Sequence, residues 1–195
     1  SRGLGDVYKR QGYTLVRAVV ERSGFSLEGP CPFDPSHPSR DIERFSGAEA
    51  HPTLAEVLLN PTRIYVDPVV DLVLESRREG GVVGPDSIKA IAHITGGGLS
   101  NLLRLHDSLG WHIDRPLDPQ PEFGWLSEVG SVTPLEMHRT FNMGMGMVIA
   151  VSEGSSDAVE EWVRDRLPGS RRVGRVVENG RLVTHSDPDV VFSHY

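Results

Sequence analysis

The run Phe141-Asn142-Met143-Gly144-Met145-Gly146-Met147 constrains this chain more than any other stretch. It closes a helix announced by Thr133-Pro134-Leu135-Glu136, which has the form of a capping box with proline at the first helical position. It then feeds an apolar segment, Met147-Val148-Ile149-Ala150-Val151, that reads as a buried strand. Gly144 and Gly146 each permit a positive φ and close backbone approach. One such glycine suffices for a plain helix-to-strand link. The second, together with Asn142 and the methionines, leaves two readings open: a loop that faces a ligand, or very tight packing.

A second glycine cluster lies upstream. Residues 87–94 alternate apolar with polar or small side chains, as a strand does. Thr95-Gly96-Gly97-Gly98 follows at once, and 100–105 reads as the start of a helix. A strand, a glycine turn and a helix N-terminus can aim backbone N–H groups and a partial positive charge at an anion. The alternative is a tight turn. No Gly-Lys-Ser/Thr follows, so this is not a Walker loop, and the spacing is not that of a GxGxxG dinucleotide fingerprint.

The remaining pattern predicts helices over 12–22, 54–59, 69–78, 123–129 and 157–167, the last with Val159, Trp162, Val163 and Leu167 on one face. Thr53 is a candidate cap for the second of these. Short strands are expected at 111–114, 172–177 and 181–184, the last two joined as a hairpin at Asn179-Gly180. Residues 30–46, rich in Pro, Ser and Asp, read as an exposed loop, and 186–195 carry no assigned element. Strands alternating with helices imply an α/β fold: a layered mixed sheet with helices packed on it.

Composition narrows the function. The 195 residues carry a formal net charge of −7, which argues against a nucleic-acid partner that needs a basic face. A small anionic ligand remains compatible, because a few N–H groups and arginines can override net charge locally. The single cysteine, Cys31, excludes an internal disulfide and fits a cytoplasmic location. No apolar run approaches the roughly 20 residues that span a membrane. The histidines show no paired metal-ligand spacing, so no metal ligands are assigned. Residues 1–11 lack a hydrophobic pattern and read as adapter or cloning sequence rather than native protein.

Four stretches together resemble one family: Gly12-Tyr13-Thr14-Leu15-Val16-Arg17, Pro61-Thr62-Arg63-Ile64-Tyr65-Val66, the segment from His93 to Gly98, and that from Glu136 to Met147 with Arg139-Thr140-Phe141-Asn142. The chain resembles the C-terminal half of aminoimidazole ribonucleotide synthetase, also called phosphoribosylformylglycinamidine cyclo-ligase. The resemblance implies that residues 12–195 form the C-terminal synthetase domain and that the N-terminal domain binding ATP and metal is missing. It implies ATP-dependent ring closure of formylglycinamidine ribonucleotide in purine biosynthesis, with ATP and Mg2+ held mainly by that missing half. A small-molecule ribonucleotide is then the partner, the full-length enzyme is a homodimer, and the fragment alone is inactive. Two departures stand out. Arg10-Gln11 replaces a His-Ser-Asn segment that normally precedes Gly12-Tyr13, and the linker after Gly98 is one residue short.

Within that frame Thr95, Gly96, Gly97 and Gly98 are expected to contact phosphate or substrate through N–H groups, with Asn101 as a second contact. Asn142, Gly144 and Gly146 are assigned to the ring-closing region. Arg63 and Arg139 are anion candidates, since guanidinium binds phosphate in a bidentate way; each can equally be a structural ion-pair partner. His93 can touch ligand or sit in the core with its nitrogens satisfied. Asp107, Asp114, Glu136 and His138 are the remaining acid–base candidates, and no catalytic residue is assigned. Two alternatives stay open: another ATP-dependent synthetase or kinase of the same superfamily, or a non-catalytic α/β metabolite-binding domain.

Overall fold

The computed structural model describes residues 5–38, 51–81 and 83–195, with side chains from residue 12 onward. In chain order the elements are α1 (Gly5–Ser23), α2 (Leu54–Leu58), α3 (Val66–Arg77), β1 (Ile88–His93), a 3-10 helix (Gly98–Arg104), β2 (Gly110–Ile113), α4 (Pro121–Gly130), α5 (Pro134–Thr140), β3 (Met147–Val151), a 3-10 turn (Glu153–Ser155), α6 (Ser156–Arg166), β4 (Gly174–Val177), β5 (Val183–His185) and β6 (Val191–Phe192). They divide into two compact units. One comprises residues 1–62, 95–98 and 118–144; the other comprises 63–94, 99–117 and 145–195. Residues 39–46 of the expected loop lie outside the described residues, as do 1–4 of the expected adapter. The α1 backbone runs back through 5–11.

The first unit is helical. α1 buries Val19 and Val20 against Leu54 of α2, Trp125 and Leu126 of α4, and Met137 of α5, with Leu15 and Val16 alongside. This is the stripe expected from 3.6-residue periodicity. The described part of the 30–46 loop is not wholly exposed: Phe33 packs on Trp125 with ring centroids 5.7 Å apart. The reciprocal capping box forms at α2, where Thr53 N–H donates to Glu56 Oε2 (2.7 Å) and Glu56 N–H donates to Thr53 Oγ1 (3.2 Å). These bonds hold the Glu56 carboxyl below the usual carboxylate range. The box expected at α5 is only half made. Glu136 N–H donates to Thr133 Oγ1, but the Glu136 carboxylate accepts from Thr140 Oγ1 (3.3 Å) and pairs with Arg139 (3.6 Å).

Among the described residues, the second unit holds all the strands. β1 and β3 form an antiparallel ladder with Ile91 opposite Ile149 and His93 opposite Met147. α3 and α6 cover it: Leu72, Val83 and Val159 form a core with Ile88, Ile149, Val151, Trp162 and Val163 packed around them. β3 is less buried than its apolar sequence predicts, with Ala150 its one buried residue. A two-stranded ladder with helices on one face cannot bury both sides of a strand.

The other sheet has the order β4-β2-β5-β6 and is mixed, with β2 and β5 parallel and the other pairs antiparallel. This corrects the expected hairpin, since β4 and β5 do not pair with each other. Asn179 Oδ1 accepts from Leu182 N–H (3.1 Å), so the turn forms, but Leu182 O accepts from Trp111 N–H (2.7 Å). The reversal therefore closes on β2, which lies between the two strands. The tail has an element as well. β6 pairs with β5, and Val190 and Phe192 are buried.

Candidate functional site

In the first unit the glycine loop 95–98 meets the end of α5. Gly97 and Gly98 take φ of +97° and +52°. A Cβ on Gly98 would overlap the His138 carbonyl and stand 2.9 Å from Phe141 O. The N–H of Gly98 closes the turn by donating to Thr95 O (2.9 Å). His138 is itself buried and its Nδ1 lies 2.9 Å from Pro134 O, so it serves the helix start as well as the loop.

The same unit carries Asn142 and Gly144. Asn142 Oδ1 accepts from Gly144 N–H (3.1 Å), an Asx turn that fixes the loop after α5. The left-handed residue is not Asn142 but Met143, with φ +46°, followed by Gly144 at +88°. A Cβ on Gly144 would stand 2.5 Å from Asp118 O. Arg139 pairs with Glu136 on an exposed helix face, the structural reading of that residue.

In the second unit Arg63, His93 and Gly146 gather around Tyr65, a residue the sequence reading does not single out. The Tyr65 ring meets the His93 ring edge-on with centroids 6.0 Å apart. A Cβ on Gly146 would overlap the Tyr65 hydroxyl and lie 2.8 Å from Cζ. Gly146 O accepts from Ile94 N–H (2.9 Å), which extends the β1–β3 ladder by one bond. His93 is exposed between buried Ala92 and Ile94, so it is not a core histidine. Arg63 Nη1 donates to Pro168 O (3.2 Å). Burial pushes the Tyr65 phenol above its ordinary value, partly offset by the nearby Arg63 charge. No local sequence signal flags Tyr65: its neighbours Ile64 and Val66 are apolar yet exposed, and only the fold turns Tyr65 inward.

Asn101 sits in the 3-10 helix Gly98–Arg104 and is buried, as are Leu99, Leu102 and Leu103. The segment expected as an α-helix start thus has a tighter winding and only seven residues, so a helix macrodipole is not available to it on the scale first expected. Asp114 is occupied by ion pairs with Arg175 and Arg115, the latter at 3.6 Å. Asp107 is exposed in the loop before β2. Among the described residues, no three His, Cys, Asp or Glu side chains stand together as a metal site, and no helix is long and apolar enough to cross a membrane.

One mixed sheet, one antiparallel ladder and the helices packed with them define an α/β fold. Residues 37–187 match the family described as AIR synthase related protein, C-terminal domain, and the chain belongs to that family. It is 38% identical over 169 residues to the phosphoribosylformylglycinamidine cyclo-ligase of Methanosarcina acetivorans, covering 87% of this chain and 41% of the relative. It is 42% identical over 135 residues to the protein of the same name from Methanopyrus kandleri, covering 69% of this chain and 36% of the relative. The Nitrosococcus oceani protein of that name is 37% identical over 171 residues, covering 85% and 39%. The chain thus spans about two fifths of the length of these curated relatives.

Proposed function

We propose that this chain supplies the C-terminal part of an ATP-dependent cyclo-ligase that converts formylglycinamidine ribonucleotide to aminoimidazole ribonucleotide in purine biosynthesis. The observation that carries the reading is the match over 87% of the chain to a protein named for that activity. ATP would supply the phosphoryl group that makes the formyl amide oxygen a leaving group, with Mg2+ shielding the charge. Among the described residues no cluster of His, Cys, Asp or Glu could hold that ion, so its ligands are proposed to lie in the part that precedes this domain. Ring closure needs the amidine nitrogen held close to the activated carbon and a group that accepts its proton. The exposed His93 imidazole is the titratable side chain best placed for proton handling, beside Tyr65.

Thr95, Gly96 and Gly97 are proposed to contact substrate through the backbone, with Asn142 offering its amide nitrogen once Oδ1 is engaged. Arg63 supplies positive charge near Tyr65. Asn101, buried in the 3-10 helix, is proposed as a second substrate contact. The whole enzyme is proposed to be a cytoplasmic homodimer with its nucleotide site in the part that precedes this domain.

The test is a chimera in which residues 12–195 replace the matching segment of the Methanosarcina acetivorans relative. ATP-dependent phosphate release with formylglycinamidine ribonucleotide is measured. Turnover is the expected result, and the 195-residue chain alone is expected to show none. A folded chimera that binds neither substrate nor ATP would sink the proposal. Saturable metabolite binding by the chain, with an inactive chimera, would favour a binding domain instead.

A further inference from the structure

Tyr65 has a seat that the chain goes to some length to provide. Position 146 is glycine, and the space its side chain would fill is taken by the phenol. Gly146 has no positive φ, so backbone conformation alone does not demand glycine there. The phenol stands at the end of the β1–β3 ladder, where His93 pairs with Met147 and Ile94 N–H reaches Gly146 O. Its ring edge meets the exposed His93 imidazole. Among the described residues the Tyr65 hydroxyl has no hydrogen-bond partner, although the ring is half-buried.

A hydroxyl whose ring is already seated in one place meets a bound oxygen with little loss of side-chain freedom. Phenol can donate to a carbonyl, carboxylate or phosphate oxygen. We propose that the Tyr65 hydroxyl donates a hydrogen bond to an oxygen of the bound ribonucleotide beside His93, and that Gly146 is glycine so that the phenol can take this position. The proposal rests on the ribonucleotide reading above. A phenol is protonated, and hence a donor, throughout the neutral range, and burial raises its pKa further.

The experiment uses the 195-residue chain with tyrosine labelled at Cζ, and formylglycinamidine ribonucleotide as the probe. The Tyr65 resonance is assigned by its loss in Tyr65→Phe, which keeps the ring against Gly146 and removes only the hydroxyl. The ribonucleotide is expected to shift that resonance, and Tyr65→Phe is expected to bind it roughly tenfold more weakly with unchanged melting. Gly146→Ala is expected to move the Tyr65 resonance in the free protein and to weaken binding at least as much. If the ribonucleotide binds wild type and Tyr65→Phe alike, Tyr65 is not a ligand contact, while the ribonucleotide reading stands. If wild type does not bind it at all, the reading fails for this domain and the Tyr65 assignment falls with it. A Tyr65 resonance unmoved in free Gly146→Ala would overturn the seat itself.

Discussion

Gly98 and Gly146 both lack a side chain because something else occupies its place, yet the occupants differ in kind. At Gly98 the space belongs to main chain, the His138 carbonyl at the end of α5, and φ is +52°. At Gly146 it belongs to the tip of one side chain, the Tyr65 phenol, and φ is not positive. A carbonyl fixed in a helix cannot give way without moving the helix, whereas a phenol can rotate. The first glycine is therefore a requirement of folding. The second is a requirement for where one particular side chain points. Two glycine loops that look alike in sequence thus carry different kinds of information.

The largest expected effect follows from this. Gly98→Ala combines a left-handed backbone with a main-chain overlap and should destabilise by roughly 3 kcal/mol or more. In a domain of this size that lowers the melting temperature by roughly 10 °C. A loss below about 1 kcal/mol, read by urea denaturation, would show that α5 shifts easily and would erase the contrast with Gly146.

Gly146→Ala should cost less, about 1–2 kcal/mol, because the phenol can rotate out of the way. The contrast is sharpened by a double-mutant cycle. Tyr65→Ala empties the seat, so Gly146→Ala should cost almost nothing in that background, a coupling of about 1 kcal/mol. Additive losses would mean that the overlap with Tyr65 is not what Gly146 avoids.

The same distinction explains what the sequence could reveal. Amphipathic stripes were legible: Leu15, Val16, Val19 and Val20 on α1, and Val159, Trp162 and Val163 on α6, face the cores that their spacing predicts. β1 and β3 were legible as strands because alternation and apolar runs are local signals. The β4–β5 arrangement was not. Asn179-Gly180 encodes a chain reversal, but no local signal says that β2 will lie between the two arms. The 3-10 winding of 98–104 was also hidden, since Leu99, Leu102 and Leu103 suit either helix type.

Among the candidate site residues, sequence marked the glycines and His93 but not the reason for each glycine. That reason lies in residues far along the chain: His138 for Gly98, Asp118 for Gly144 and Tyr65 for Gly146. Close approach is a tertiary property, and one sequence without the fold offers only its symptom, a missing side chain. Tyr65 escaped notice because it is ordinary as a residue type and unusual only in its surroundings.

A smaller effect isolates the backbone part of the Gly98 cost. Ser131 ends α4 with φ +51°, the conformation of Gly98 without a main-chain overlap at stake, and it is exposed. Ser131→Gly should stabilise by about 0.5–1 kcal/mol, since glycine adopts this conformation freely. The measurement is the shift in urea midpoint at constant slope. If Ser131→Gly is neutral, conformation contributes little at either position, and the whole penalty of Gly98→Ala belongs to the His138 carbonyl.

The smallest effect is a pH dependence, and it tests the Gly146 side of the comparison without touching the glycine. Burial raises the folded-state pKa of Tyr65 above the ordinary value of 10.0, with Arg63 pulling it partly back. The folded protein therefore holds this proton more tightly than the unfolded chain does. Stability from this group is fully present below about pH 10 and declines as pH rises through the folded-state pKa, because the unfolded chain loses the proton first. Wild type should lose stability on going from pH 9 to pH 11 more than Tyr65→Phe does. The difference between the two proteins removes the contribution of every other group that titrates in the same window. Urea denaturation at a series of pH values supplies it. Parallel curves would mean that the phenol is as well solvated folded as unfolded. Gly146 would then be avoiding a loosely placed side chain rather than seating a buried one.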